Sequence, residues 1–291
     1  MNPPHDVDGW RDLLLTDVIA FDREIAHVPI GQRTMFRAAD LVGADLSLAT
    51  IRHCDLTGAD LGGARVSGLE LSRCRLEDTR LDMVLLDDEY WSPVIAQIQM
   101  LWRDPEEWNA FRREHRPAIL ESADFSHADL GSADLSDVVL TTSRFDGARL
   151  RACDLTDTMF TGASLIDADL TGIHAVLTKL DGSVLDGACF DDAELDHVLL
   201  SGASVVGASF RGAHIHDCRL DDAILIDAVF DRATLTRTSL FRAHLERCSF
   251  RDTELTNVTL TGATVTDCAT DRAIFDRVER DGVELGSDGL S

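Results

Sequence analysis

The side chains best suited to ligand or acid–base chemistry are His174, Glu194 and His214, spaced twenty residues apart, with His216 and Asp217 beside the last. Alternating imidazole and carboxylate suits a divalent transition metal. If the chain returned to one place every twenty residues, these groups would stack in a column at ~5 Å intervals. A flat outer wall offers neither a pocket nor exclusion of water, both of which catalysis uses. The column therefore reads as a solvated ladder, and no metal or cofactor is expected. The sequence holds no Gly-rich phosphate loop, HExxH, paired CxxC or GxSxG element, so the expectation is a protein that is not an enzyme.

Two other groups of residues point to binding. Between Ala152 and Phe210 ten acids stand against Lys179 alone: Asp154, Asp157, Asp167, Asp169, Asp181, Asp186, Asp191, Asp192, Glu194 and Asp196. The second group is aromatic, with Tyr90, Trp91, Trp102, Trp108 and Phe111 concentrated in residues 87–119. Large aromatics on an insertion are typical anchors for a protein partner.

The whole chain has 52 acidic and 27 basic residues among 291, a formal charge of −25. Such a surface repels phosphate, which argues against direct nucleic-acid or anionic-membrane binding. No apolar run is long enough to span a bilayer, and the first residues lack a basic-then-apolar leader, so a cytoplasmic protein is expected. Seven cysteines, an odd number scattered along the chain, fit a reducing compartment better than a disulfide framework.

What positions these groups is a repeat of five. Every fifth residue from Phe36 to Leu86 is large and apolar, and the residue two before each is mostly small, as in Ala39, Ala44, Cys54 and Ala59. The series resumes in shifted phase at Leu120 and runs to Phe275, with only Ala175 and Thr270 lacking a large apolar side chain. A helix would spread a five-residue period around its circumference, and a flat strand would alternate it between faces. Keeping both residues inside requires a chain that turns a corner at every unit. The units Ala39-Asp40-Leu41, Ala44-Asp45-Leu46, Ala59-Asp60-Leu61, Ala128-Asp129-Leu130 and Ala133-Asp134-Leu135 resemble the pentapeptide-repeat family.

That resemblance implies an all-β solenoid, a right-handed quadrilateral β-helix with four units per coil. On that geometry Phe190, Phe210, Phe230 and Phe250 should stack, as should Phe125 and Phe145. Cys54, Cys74, Cys153, Cys218, Cys248 and Cys268 would fill small inward positions, leaving Cys189 outward. The expected organisation is an N-terminal helical cap over 1–33, a first repeat block over 34–86, a helical aromatic insertion over 87–119, a second block over 120–277 and a flexible tail over 278–291. If the two blocks were collinear, the rod would be ~50 Å long. The cap follows from the spacing of Trp10, Leu14, Val18, Phe21 and Ile25 as one amphipathic helix. Ser92-Pro93 and Asp104-Pro105-Glu106-Glu107 predict two short helices, about 93–102 and 105–115.

Sorted by corner, seven of the ten acids fall on two adjacent walls: Asp154, Asp157, Asp169, Asp191, Asp192, Glu194 and Asp196. The stretch carries about one net charge per 1.6 Å of rod, close to the ~1.7 Å of duplex DNA. Members of the Qnr and MfpA types resemble DNA in size and charge and bind DNA gyrase. The resemblance therefore implies a DNA mimic that binds DNA gyrase or another type II topoisomerase and modulates or protects it, as in antibiotic self-resistance, acting as monomer or homodimer. The chain lacks the apolar C-terminal helix through which those types dimerise. The alternative is an interaction scaffold that holds some other protein through the aromatic insertion, its acidity serving solubility.

Overall fold

The computed structural model describes residues 7–30, 32–81, 83–88, 91–116 and 119–285. Two compact units divide the chain: residues 1–108 with 115–124, and 109–114 with 125–291.

In the first unit the N-terminal segment is two helices rather than the single one expected, α1 (Val7–Thr16) and α2 (Val18–Ile25). Asp17 makes the break: its carboxylate accepts the Ala20 N–H at 3.0 Å and caps α2. Trp10, Leu14, Phe21 and Ile25 are buried, and Phe21 lies 5.8 Å from Phe36, the first inward residue of the repeat. The helices thus cover the apolar start of the coil, which would otherwise face water. Short strands β1 (Asp45–Leu46), β2 (Arg65–Val66) and β3 (Leu85–Leu86) pair in parallel with a register of twenty residues.

One turn of this block is helical, α3 (Gly68–Ser72), yet Leu71 keeps its inward place. A side chain at Gly68 would put its Cβ 2.2 Å from the Trp91 ring, so only glycine lets that ring approach. The insertion supplies α4 (Trp91–Arg103) and α5 (Pro105–Arg112). The first starts before Ser92-Pro93, because a proline anywhere in the first turn removes no helical hydrogen bond. The second starts as its sequence predicts, with Asp104 accepting the Glu106 and Glu107 N–H groups at 2.9 and 3.2 Å. Residues 109–114 belong to the second unit, where Asn109 exchanges hydrogen bonds with Ser132 O and Asp134 N at 2.9 and 2.7 Å.

The second unit is a parallel β-helix. Residues twenty apart pair along four ladders, as in Asp129↔Arg149↔Asp169, Asp134↔Asp154↔His174, Val139↔Met159↔Lys179 and Arg144↔Ser164↔Val184. The second of these ladders widens into a six-stranded sheet of β4 (His174–Val176), β5 (Glu194–Asp196), β6 (His214–His216), β8 (Thr234–Thr236), β10 (Glu254–Thr256) and β12 (Ile274–Asp276). The fourth widens likewise into β7 (Ile224–Ile226), β9 (His244–Glu246), β11 (Thr264–Thr266) and β13 (Glu284–Leu285).

Every fifth residue from Ser122 to Gly282, two beyond each inward centre, has positive φ between 51° and 72°. Many corners close with a hydrogen bond such as Cys153 N–H to Leu150 O at 3.2 Å, the pattern of a type II turn. Glycine, aspartate and asparagine tolerate that conformation best. It is one reason the chain is rich in Asp.

Inside the coil Phe190, Phe210, Phe230 and Phe250 stack at 4.8, 4.9 and 5.0 Å with rings within 5° of parallel, as their spacing predicts. Phe125 and Phe145 stack at 5.1 Å. The six inward cysteines are buried, and Cys189 is half-buried on the outside. Desolvation pushes the thiols of Cys54, Cys153 and Cys218 up to about 12, so they act as apolar filler. Among the described residues no helix is long and apolar enough to cross a membrane.

Candidate acidic interface

The structure gives each class of acid a local reason. An aspartate just before an inward centre folds its carboxylate onto the backbone two residues on. Asp154 accepts Thr156 N–H and Oγ1 at 3.0 and 2.6 Å, and Asp169 accepts the same groups of Thr171 at 3.2 and 2.7 Å. For both, partial burial acts to raise the pKa. The threonine hydrogen bonds outweigh it, helped by His174 beside Asp154 and Arg151 beside Asp169, so both carboxyls lie below the usual value. An aspartate just after a centre reaches the next coil. Asp191 accepts the Arg211 N–H at 2.9 Å and the Ser209 hydroxyl, and Asp186 accepts Val206 N–H at 3.1 Å and Ser204 Oγ at 2.6 Å. The third class occupies the positive-φ corner, as Asp157, Asp167 and Asp192 do.

What distinguishes the Asp154–Asp196 stretch is the residue one coil further on. Further along, the corner aspartates Asp217, Asp222, Asp227 and Asp252 each meet an arginine twenty residues later in a two-pronged contact. Arg242 reaches Asp222 at 2.8 Å through both Nε and Nη2, Arg247 reaches Asp227 at 2.8 and 2.7 Å, and Arg272 reaches Asp252 at 2.6 Å. Arg237 holds Asp217 in the same way and lowers its carboxyl to about 2. In the acidic stretch the corresponding residues are Leu177 after Asp157, Gly187 after Asp167 and Gly212 after Asp192. The Asp167 and Asp192 carboxylates lie over those glycines, 2.2 and 2.6 Å from where a Cβ would stand. Of the ten acids, ion pairs among the described residues reach only Asp154 (to His174), Asp169 (to Arg151) and Asp196 (to His197). The other seven make no ion pair among the described residues.

The seven acids singled out by sequence lie on two neighbouring ladders. Asp154, His174, Glu194 and His214 are successive register partners, and Asp169 pairs with Cys189 on the ladder before. Asp157, Asp192 and Glu194 are exposed, whereas Asp169, Asp191 and Asp196 are half-buried. The His174, Glu194, His214 column exists, but the tight cluster forms beside it: donor atoms of Asp196, His216 and Asp217 lie within 4.8 Å of one another.

The aromatic group divides. Trp108 is fully buried and Trp102 is 8% exposed, its Nε1–H donating to Asp124 O at 3.1 Å and its ring covered by the Arg75 guanidinium at 5.1 Å. Neither ring is available to a partner. Trp91 and Phe111 are half-buried, and Tyr90 lies outside the described residues.

A family model for pentapeptide repeats matches eight copies, over residues 32–68 and, in overlapping segments, 118–268. The first match stops where the helical turn α3 begins. No curated protein matches the sequence significantly. Among solved structures, HetL, a pentapeptide repeat protein involved in heterocyst differentiation regulation from the cyanobacterium Nostoc sp. strain PCC 7120, is 22% identical; the match covers 92% of this chain and 98% of that one, with a TM-score of 0.30. A trypsin-treated variant of QnrB1, a plasmid-mediated fluoroquinolone resistance protein, is 15% identical over 80% of this chain and 89% of that one, at 0.27. A pentapeptide repeat protein of the Arabidopsis thaliana thylakoid lumen is 23% identical over 45% and 66%, at 0.20. Superpositions this loose carry no argument about partners. The repeat-by-repeat match, the twenty-residue pairing and the inward large and small columns together place the chain in the pentapeptide repeat family, whose members form right-handed β-helices.

Proposed function

We propose that this chain is a non-enzymatic binding protein whose Asp154–Asp196 strip occupies the basic DNA-binding groove of a partner, with DNA gyrase or another type II topoisomerase the leading candidate. The four ladders read as the walls of a quadrilateral coil, and the seven acids of the strip lie on two neighbouring walls. The observation that carries the reading is the missing compensation. The same coil pairs Asp217, Asp222, Asp227 and Asp252 with arginine further along and leaves Asp157 and Asp192 of the strip, and Asp167 on the ladder before it, without one. Stacked rings 4.8–5.0 Å apart set the rise per coil, so −9 over nearly three coils is about one charge per 1.6 Å, near the duplex value of ~1.7 Å. A partner that binds DNA through lysine and arginine would meet a similar field, and association would weaken steeply with salt.

The test is binding of the purified protein to gyrase across a salt series, followed by a supercoiling assay with and without a gyrase poison. Salt-sensitive binding with altered supercoiling or protection is expected. Absence of binding at low salt with supercoiling unchanged would refute the reading.

A further inference from the structure

Strands β5 and β6 place Asp196 opposite His216, and His197 and Asp217 follow them at positive-φ corners, joined by a hydrogen bond from His197 N–H to His216 O at 2.9 Å. Two successive coils thus read Asp-His over His-Asp. Each carboxylate has an imidazole beside it along the chain and another across the ladder. His216 Nε2 is 3.1 Å from Asp217 Oδ2, His197 Nε2 is 3.7 Å from the same oxygen, and His197 Nδ1 is 2.8 Å from Asp196 Oδ1. The coil before offers Val176 and Leu177 at these positions, and the coil after offers Thr236 and Arg237. Among the described residues no other three histidine, cysteine or acidic side chains gather this closely.

We propose that Asp196, His216 and Asp217 form a binding site for a divalent transition metal of the zinc, nickel or cobalt kind. A tetrahedral ion with bonds of about 2.1 Å sets its donors roughly 3.4 Å apart. The 3.1 Å between His216 and Asp217 fits, and the wider limit of 4.8 Å to the third donor closes by side-chain rotation on the outer face. Mixed imidazole and carboxylate ligands select such metals over magnesium or calcium, which prefer oxygen alone. His197 is a positioning residue: its Nδ1–H donates to Asp196 and holds that carboxylate toward the site.

In this structure Arg237 is the cation held by these side chains. Its Nε contacts Asp217 at 2.7 Å, and its Nη2 meets both Asp217 Oδ2 and His216 Nε2. A guanidinium has no lone pair to offer, so the Nε2 atom it meets must be the acceptor, with its lone pair directed at Arg237, the cation a metal would have to displace. The arginine supplies positive charge there and competes with the ion. This inference shares Asp196 with the acidic strip but does not rest on the partner proposed above.

The experiment is calorimetric titration of the untagged full chain with Zn²⁺ and Ni²⁺, alongside H216A, D217N, R237Q and H174A. One saturable site is expected. It should weaken at least about tenfold in H216A and D217N, tighten in R237Q and stay unchanged in H174A. Thermal melts without metal show that each variant keeps its coil. No saturable binding, binding that survives H216A, equal loss in H174A, or weaker binding in R237Q would each overturn the assignment.

Discussion

At the scale of single residues, the corner position decides more than its side chains suggest. Leu177 holds φ 58° with its side chain 47% exposed, so it bears the left-handed backbone cost and gains little burial in return. That cost is roughly 1–2 kcal/mol for a residue with a Cβ, and asparagine is among the residues that bear it best. Leu177→Asn should therefore stabilise the protein by about 1 kcal/mol, read as a higher urea midpoint with unchanged slope. A lower midpoint would show that Leu177 packs against something essential. The corner was partly legible beforehand. Glycine, aspartate and asparagine recur two residues after the centres, but Arg232, Arg237, Arg242 and Arg247 occupy the same position and hide the backbone requirement. The inward pairs were fully legible, since a buried period of five with large and small residues has no other regular solution.

At the scale of elements, the stacked phenylalanines and the arginine–aspartate ladders stabilise the coil by different means. Phe210 is fully buried between Phe190 and Phe230. Its removal in Phe210→Ala should cost about 3–5 kcal/mol, because rigid neighbours on both sides keep the cavity open. A loss under about 1 kcal/mol in a denaturant melt would mean that the stack collapses freely. Ion pairing to Arg242 and Arg247 holds Asp222 and Asp227 below the usual carboxylate value. A depressed folded pKa gives stability that is present above the unfolded value of about 3.9 and lost as pH falls through the folded one. The double variant Arg242→Gln/Arg247→Gln should thus lose less of its thermal midpoint between about pH 5 and 2 than the wild type does. These pairs are exposed, so the difference will be small, and identical acid limbs would show that they contribute nothing. Helix α4 shows where reading the sequence fell short. Val94, Ile95, Ile98, Leu101 and Trp102 form one buried stripe, a helical period that could have assigned Trp102 to the interior rather than to a contact surface.

For the molecule as a whole, net charge was legible but its distribution was not. Compensation depends on which arginine stands one coil beyond which aspartate. The pairs 217/237, 222/242, 227/247 and 252/272 become visible only when the twenty-residue return is applied to the outward positions as well as the inward ones. Applied to Asp157, Asp167 and Asp192, the same rule finds leucine or glycine, and these corners of the stretch are left without a guanidinium. The most direct measurement compares gyrase binding by the wild type with that of Asp157→Asn/Asp192→Asn/Glu194→Gln, in the presence and absence of competing duplex DNA. Amides keep the shape of these exposed side chains, and asparagine tolerates the corner backbone. The account predicts that the wild type competes with duplex and that the triple variant binds at least about tenfold more weakly while melting at the same temperature. Undiminished binding by the variant, or wild-type binding indifferent to duplex, would contradict it.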